Sequence, residues 1–440
     1  MSGLEAGLAA LHSGDVSGAQ AAFEAALAAG EAPVAAAHNL GVARSQSGDP
    51  EGAESAFLQA VEADPGFAPA WAALGLLRAR AGALFAAEAA LRRALEIGDD
   101  ADVAANLGAV LREQGRPADA AAVLYPALKV AGQHPIGWNT LGAALQDLGD
   151  LPTAAGCFQR AAQQDPSNPV PLVNLHGTVF DDQDTSVARR CLEQAARVAP
   201  TDPAARFHLG CTWGLLSPEA ADRHHAVLPP DAIAWRDSWR FVCAARDDRT
   251  RFFGSTAAGL RFAASLARQQ GLVLELGVRF GTTLGLLQGA LGQPVHGFDT
   301  FAGLPEAWHS VPAGAYSTGG RVPDLGADVQ LHRGLFADTL PPFLMDNPGA
   351  ARLVHIDCDL YSATATALEA LAGRVVPGTV LVFDEYLMNP RWREDEHKAL
   401  VEVGQRSGWT WRYAAFSMLS HQAVVEITAV ASPTAVAGPG

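Results

Sequence analysis

An all-α repeat array followed by an α/β domain is the fold class this sequence predicts, and three observations predict it. Residues 1–228 repeat themselves with a period of 34 residues. Residues 271–386 contain four short apolar runs in the segments LVLELGVRFGTT, HGFDTFAGLPE, LVHIDCDLYSATATALEAL and GTVLVFDEY. Each run ends in Glu, Asp or Gly, as parallel strands do when they deliver polar groups to the carboxyl edge of a sheet. Finally, 440 residues at 49% hydrophobic content suffice for two or three cored domains. The Leu228-Pro229-Pro230 punctuation marks the expected boundary. The division expected is therefore a repeat array over 1–228, an α/β domain over 229–430 and a flexible tail over 431–440.

The formal charge of -16 is uneven, with -12 over residues 1–228 and -4 over 229–440. An acidic amino-terminal half repels phosphate backbones, which argues against a nucleic-acid partner and for a neutral or basic polypeptide. Cys157, Cys191, Cys211, Cys243 and Cys358 are scattered without CxxC spacing, so neither a disulfide framework nor a zinc site is indicated. A reducing cytoplasm fits that usage. The opening MSGLEAGLAALHSGD lacks a basic segment before its apolar stretch, and no apolar run approaches the roughly 20 residues of a membrane span. The expectation is a soluble, cytoplasmic, unexported protein with no membrane partner. Lysine occurs only at Lys129 and Lys398, a bias expected of a GC-rich bacterial genome. A homo-oligomer is left open.

Within the repeats, Leu-Gly or its equivalent recurs at Leu40-Gly41, Leu74-Gly75, Leu107-Gly108, Leu141-Gly142, Leu175-His176 and Leu209-Gly210. After each comes an alanine (Ala53, Ala87, Ala120, Ala154, Ala188), then a large apolar residue (Phe57, Leu91, Leu124, Phe158, Leu192), then another alanine (Ala60, Ala94, Ala127, Ala161, Ala195). Small residues let the two helices of a hairpin approach closely, and the large one is expected to fill the gap to the next hairpin. Gly48, Gly82, Gly115 and Gly149 supply the reversals. A worn repeat begins near residue 3 and a last half-repeat near Pro203. This pattern resembles the tetratricopeptide repeat, with Trp71 and Trp138 where that family often has tryptophan. The resemblance implies a superhelix whose groove holds a protein or peptide partner.

In the second half, an amphipathic helix is read as starting at Phe253-Gly254-Ser255 and running through Leu266, and strands are expected at 272–276, 295–298, 329–332, 353–356 and 380–383. A carboxyl-terminal hairpin is expected at 409–416 and 423–427. The first of these strands runs into Glu275-Leu276-Gly277-Val278-Arg279-Phe280-Gly281-Thr282-Thr283, a glycine turn opening a helix. Glycine allows a ligand to approach the backbone there, and the helix amides can receive a carboxylate. Its spacing is not GxGxxG, which argues against a nicotinamide enzyme. The second strand ends in Asp299, whose carboxylate can accept both ribose hydroxyls of a nucleoside. A solvated strand end or a helix cap is the alternative. The ends of the strands at 353–356 and 380–383 would bring Asp357 together with Asp384 and Glu385, a hard all-oxygen set suited to Mg²⁺. His355, inside an apolar strand, reads as a packed, hydrogen-bonded core histidine and not as a base. Asp359 is a second-choice ligand, and Cys358 a small buried side chain.

These segments resemble the class I S-adenosylmethionine-dependent methyltransferases, and among them the metal-dependent macrocin O-methyltransferase family, over roughly residues 250–428. The resemblance implies a Rossmann-like domain with a seven-stranded sheet in the order 3-2-1-4-5-7-6. It implies transfer of a methyl group from S-adenosylmethionine to a hydroxyl of a sugar, glycoside natural product or glycan; the alternatives are a peptide or protein methyltransferase whose substrate the repeats hold, and a repeat scaffold with a vestigial methyltransferase domain. Glu275, Gly277, Gly281, Thr282, Asp299, Thr300 and Phe301 then bind the donor. Asp357, Asp384 and Glu385 bind Mg²⁺ or a similar divalent metal, and Asp357 doubles as the proton acceptor. Tyr386, Trp392 and Glu396 are the acceptor-pocket candidates. Ala363 stands where the family pattern has serine, so a hydroxyl contact is lost there.

Overall fold

The computed structural model describes residues 2–431. All of the tail expected over 431–440 except Ala431 lies outside the described residues. Fourteen helices from Gly3–Ser13 to Pro218–His225 come in sequential pairs. The turn glycines Gly48, Gly82, Gly115 and Gly149 have φ of 80°, 73°, 81° and 76°, the left-handed conformation that the reversals need. A Cβ added to Gly41, Gly75, Gly108 or Gly142 would come within 2.6 to 2.8 Å of Phe57, Leu91, Leu124 or Phe158. The large apolar residue of each repeat therefore seats on the glycine of its own hairpin. This extends the expectation that it fills only the gap to the next, although Phe57 does also cluster with Leu74 of the following hairpin. The worn first repeat is built the same way, with Gly7 against Phe23. No helix among the described residues is long and apolar enough to cross a membrane.

By compactness the chain divides into Met1–Leu141 and Gly142–Gly440. The first unit is repeat helices alone. The second holds the remaining repeat helices together with the sheet, and the bonds between them explain why the division falls inside the array. Asp182, after the helix Val170–Thr178, accepts from Arg251 Nε and Nη2 at 2.7 Å each and from the Phe252 amide at 2.9 Å. Arg261 Nη1 donates to the Gly149 carbonyl at 2.9 Å. Gly177 and Gly254 meet backbone to backbone, since a Cβ on Gly254 would lie 2.3 Å from the Gly177 carbonyl oxygen.

The sheet has eight strands: β1 Arg251–Phe252, β2 Leu272–Leu276, β3 Val295–Asp299, β4 Val329–Arg333, β5 Ala351–Ile356, β6 Val380–Phe383, β7 Trp409–Phe416 and β8 Ala423–Val430. Their order is β1-β7-β8-β6-β5-β2-β3-β4, which corrects the expected seven-stranded 3-2-1-4-5-7-6. The difference is β1, two residues long, which pairs in parallel with Ala415 and Phe416 of β7. So short a strand carries no alternation to read. The other pairings are parallel except those of β8, which runs antiparallel to both β6 and β7. Leu274, Leu276, Val354, Ile356, Leu381 and Phe383 face one core, while Val273, Leu353, Val380 and Val382 face the other. Burial on both faces is why these strands read as continuous apolar runs. The chain leaves β2 toward β3 and β4 on one side and returns to β5 on the other. Their carboxyl ends therefore flank a topological switch point, where open α/β sheets bind ligands.

Candidate functional site

Gly277, the first residue past β2, has φ of +93°, and a Cβ there would stand 1.7 Å from the Asp357 carbonyl oxygen. The ends of β2 and β5 thus touch through the missing side chain, and the Asp357 amide completes the contact by donating to the Leu276 carbonyl at 2.8 Å. Asp299 ends β3 beside them. Its Oδ2 accepts from the Val278 and Arg279 amides at 2.8 and 2.7 Å, and its Oδ1 from the Phe301 amide at 2.7 Å. Three backbone donors fix the carboxylate and take three of its roughly four acceptor positions, which leaves the remaining one on Oδ1. Arg279 holds φ of 52° and lies 5.4 Å from the ring of Tyr316, itself at φ 61°.

A cavity of about 590 Å³ opens at these strand ends, within the roughly 300–1,000 Å³ of small-molecule and cofactor sites. Gly277, Asp299 and Thr300 line it from β2 and β3, Asp357 and Asp359 from β5, Asp384 and Glu385 from β6, and Glu306 and Tyr316 from the loop after β3. Of the expected donor-binding residues, Glu275, Gly281, Thr282 and Phe301 are not among its walls. Glu275 is fully buried, bonded to Thr283 Oγ1 and His355 Nδ1 at 3.0 Å each. Gly281 precedes the helix Thr282–Leu291, of which Thr282 is the first residue. Phe301 packs in the core beneath the cavity.

The carboxylates concentrate negative charge. Asp384 and Glu385 are 22% and 28% exposed, enough to reach a ligand. Burial, and then Asp384, push Asp357 well above the usual carboxylate range. Asp359, at φ 61°, is pushed up to about 7 by burial, then by Glu385 and Asp384. His355 is fully buried between Glu275 and Asp384, whose Oδ1 stands 3.7 Å from its Nε2. Burial favours the neutral ring, but the nearby Asp384 carboxylate and the bonded Glu275 outweigh it and raise His355 well above its ordinary value. Paired with Glu275 in register across β2 and β5, it is a hydrogen-bonded core residue. Among the described residues, the group of three whose ligand atoms all lie within 4.8 Å of one another is His355, Asp357 and Asp384. Asp357, Asp384 and Glu385 bring hard oxygen donors to the cavity, whereas the His355 ring does not line it and is engaged through Nδ1 with Glu275.

Three residues beyond the sequence reading hold those oxygens. Gln422 Nε2 donates to Asp384 Oδ1, and His421 Nδ1 stands 3.2 Å from Glu385 Oε2, which also accepts from Asn389 Nδ2 at 2.9 Å. The turn after β7 offers no motif, so nothing in the sequence singled out Gln422 and His421. Arg279 and Glu306 lay within the segments already noted, whereas Tyr316 lay in a stretch without pattern. Tyr386, Trp392 and Glu396 are buried and do not line the cavity. Tyr386 OH bonds Tyr413 OH at 2.7 Å, Trp392 packs on Phe241, and Glu396 Oε2 accepts from the Glu385 amide at 3.2 Å. Burial, then Asp359, push Glu396 well above the usual carboxylate range.

Residues 320–402 match the macrocin-O-methyltransferase (TylF) family. That segment carries Asp357, Asp384 and Glu385 and ends before Gln422. Residues 38–102 and 106–169 match the tetratricopeptide repeat. No curated protein matches the chain. Among solved structures, one similar to this chain is YrrB, described as a TPR protein with an unusual peptide-binding site. It is 22% identical over 42% of this chain and 95% of its own, with a TM-score of 0.36. Pseudomonas aeruginosa pilF is 20% identical over 44% and 88%, with a TM-score of 0.40. CalS11, a TDP-rhamnose 3'-O-methyltransferase in calicheamicin biosynthesis, is 26% identical over 39% and 78%, with a TM-score of 0.29.

Proposed function

We propose that residues 229–430 form a methyltransferase that moves the methyl group of S-adenosylmethionine to a hydroxyl oxygen of a sugar or glycoside. The observation that carries this reading is the macrocin-O-methyltransferase match over residues 320–402, whose three carboxylates stand in the same cavity as Gly277 and Asp299. Asp299, pinned by three amides, offers the remaining acceptor position on its Oδ1 to a ribose hydroxyl of the donor. The bare backbone at Gly277 admits its methionine portion. The acidic walls attract the positively charged sulfonium and no longer hold the neutral product once the sulfur–carbon bond has broken and the oxygen–carbon bond has formed.

Asp357, Asp384 and Glu385 would hold a divalent cation, the residues fitting because all three line the cavity with hard oxygen donors, Asp357 and Asp384 within 4.8 Å of each other. Such a cation, when bound, stabilises charge developing on an aliphatic hydroxyl oxygen near neutral pH. The Asp357 carboxylate takes the hydroxyl proton. The chain's own task is otherwise alignment of oxygen, methyl and sulfur. The tetratricopeptide repeats are proposed to recruit a polypeptide partner or a partner-borne acceptor.

Incubating the full chain with S-adenosylmethionine, Mg²⁺ and a panel of nucleotide-linked sugars, glycosides and peptides tests this by mass spectrometry. One methyl gained on a sugar hydroxyl is the expected result. Methylation confined to peptides would replace the acceptor class.

A further inference from the structure

We propose that the turn between β7 and β8, residues 417–422, couples the repeat helix Val170–Thr178 to the carboxylate site, with Gln422 and His421 as positioning residues for Asp384 and Glu385. The inference rests on the reading of those carboxylates as a cation site.

At its site end the turn is built to aim side chains. Gln422 is 2% exposed, and its Oε1 accepts from Ser420 Oγ at 3.2 Å, so the amide nitrogen is the group left to face Asp384. Ser420 is itself fixed by Ser417 Oγ at 2.7 Å, and Ser417 and Gln422 exchange backbone bonds of 2.9 and 3.1 Å. His421, at φ 57°, directs its ring to Glu385 while its carbonyl accepts from the Leu387 amide at 3.1 Å. Loss of groups that orient ligating carboxylates in this way typically costs about 10–100-fold in metal affinity or activity.

The other end of the same turn meets the repeats. A Cβ on Gly177 would lie 2.3 Å from Leu419 Cδ2 and 2.5 Å from the Gly254 carbonyl oxygen, so helix and turn are in direct contact. Beside that contact is a void of about 30 Å³, lined in part by His176, His208, Met418 and Leu419. Leu419 therefore borders a space of about one water's volume at the foot of the helix. Only Ser420 and His421 separate Leu419 from Gln422, and the serine bonds across the turn make it a stiff lever. A contiguous chain of packed and bonded groups of this kind is what carries coupling between sites.

The test titrates Mn²⁺ into the full chain by calorimetry for the wild type, Gln422→Ala and Leu419→Ala, with S-adenosylhomocysteine affinity as the control. Gln422→Ala should weaken Mn²⁺ binding about tenfold or more while the control moves less than about twofold. Leu419→Ala touches no carboxylate and removes only a half-buried side chain, yet it should weaken Mn²⁺ binding about threefold. It should also shift the side-chain amide resonance of Gln422, identified by its absence from Gln422→Ala. Wild-type Mn²⁺ affinity and an unshifted Gln422 amide in Leu419→Ala would overturn the coupling. If the wild type binds no Mn²⁺, the cation reading fails, and the Gln422 amide alone decides: a shift supports the coupling and its absence overturns it.

Discussion

Asp357→Asn will lower methyl transfer about a thousandfold at saturating Mg²⁺ and S-adenosylmethionine, because an amide cannot accept the hydroxyl proton. The substitution keeps the shape of the side chain, and the backbone anchor to Leu276 is untouched. Asp384→Asn loses a charge without losing the proton acceptor, so its deficit should shrink as Mg²⁺ is raised. Initial rates of S-adenosylhomocysteine release across a Mg²⁺ series separate the two variants. If Asp357→Asn recovers with added Mg²⁺ as Asp384→Asn does, Asp357 serves the cation alone and the proton leaves by another route.

Gly277→Ala will abolish S-adenosylmethionine binding and destabilise the second unit by about 3 kcal/mol or more. A left-handed conformation costs roughly 1–2 kcal/mol for a residue with a Cβ, and forced overpacking adds about 1–3 kcal/mol. Here the 1.7 Å neighbour is the Asp357 backbone oxygen, so no side-chain rotation relieves the overlap. Gly289→Ala is the control: it lies within the helix Thr282–Leu291 with nothing within 4 Å, and should be neutral or slightly stabilising. Urea unfolding and calorimetry read both effects. A Gly277→Ala chain with wild-type stability would mean that β2 and β5 do not meet as described.

Periodicity made most of this fold readable. The repeats announce themselves because most hairpins place a glycine beneath a Phe or Leu at the same spacing, and the central strands because burial on both faces demands unbroken apolar runs. Glu275 was legible as a residue of the right type, but its depth was not. Its burial depends on His355, eighty residues away, and on the register that pairs them across β2 and β5. Tyr386, Trp392 and Glu396 follow the carboxylate motif in sequence yet turn into the core, where aromatic packing on Phe241 and the Glu385 amide claims them. Gln422 and His421 were invisible for the opposite reason. Their effect on Asp384 and Glu385 exists only because β8 runs antiparallel beside β6, setting Ala423 against Phe383. Likewise the seam between repeats and sheet, with Asp182 on Arg251, joins residues that no local pattern relates.

The claim at the centre of this account is that Asp357, Asp384 and Glu385 serve a cation-assisted methyl transfer in the cavity that Gly277 and Asp299 prepare for the donor. It is tested most directly by the rate of S-adenosylhomocysteine formation with a methylated acceptor, before and after exhaustive chelation and again after Mg²⁺ is restored. Loss of the rate to about a hundredth, with recovery on Mg²⁺ and donor affinity unchanged throughout, is the predicted result. A full rate in the chelated enzyme would contradict it.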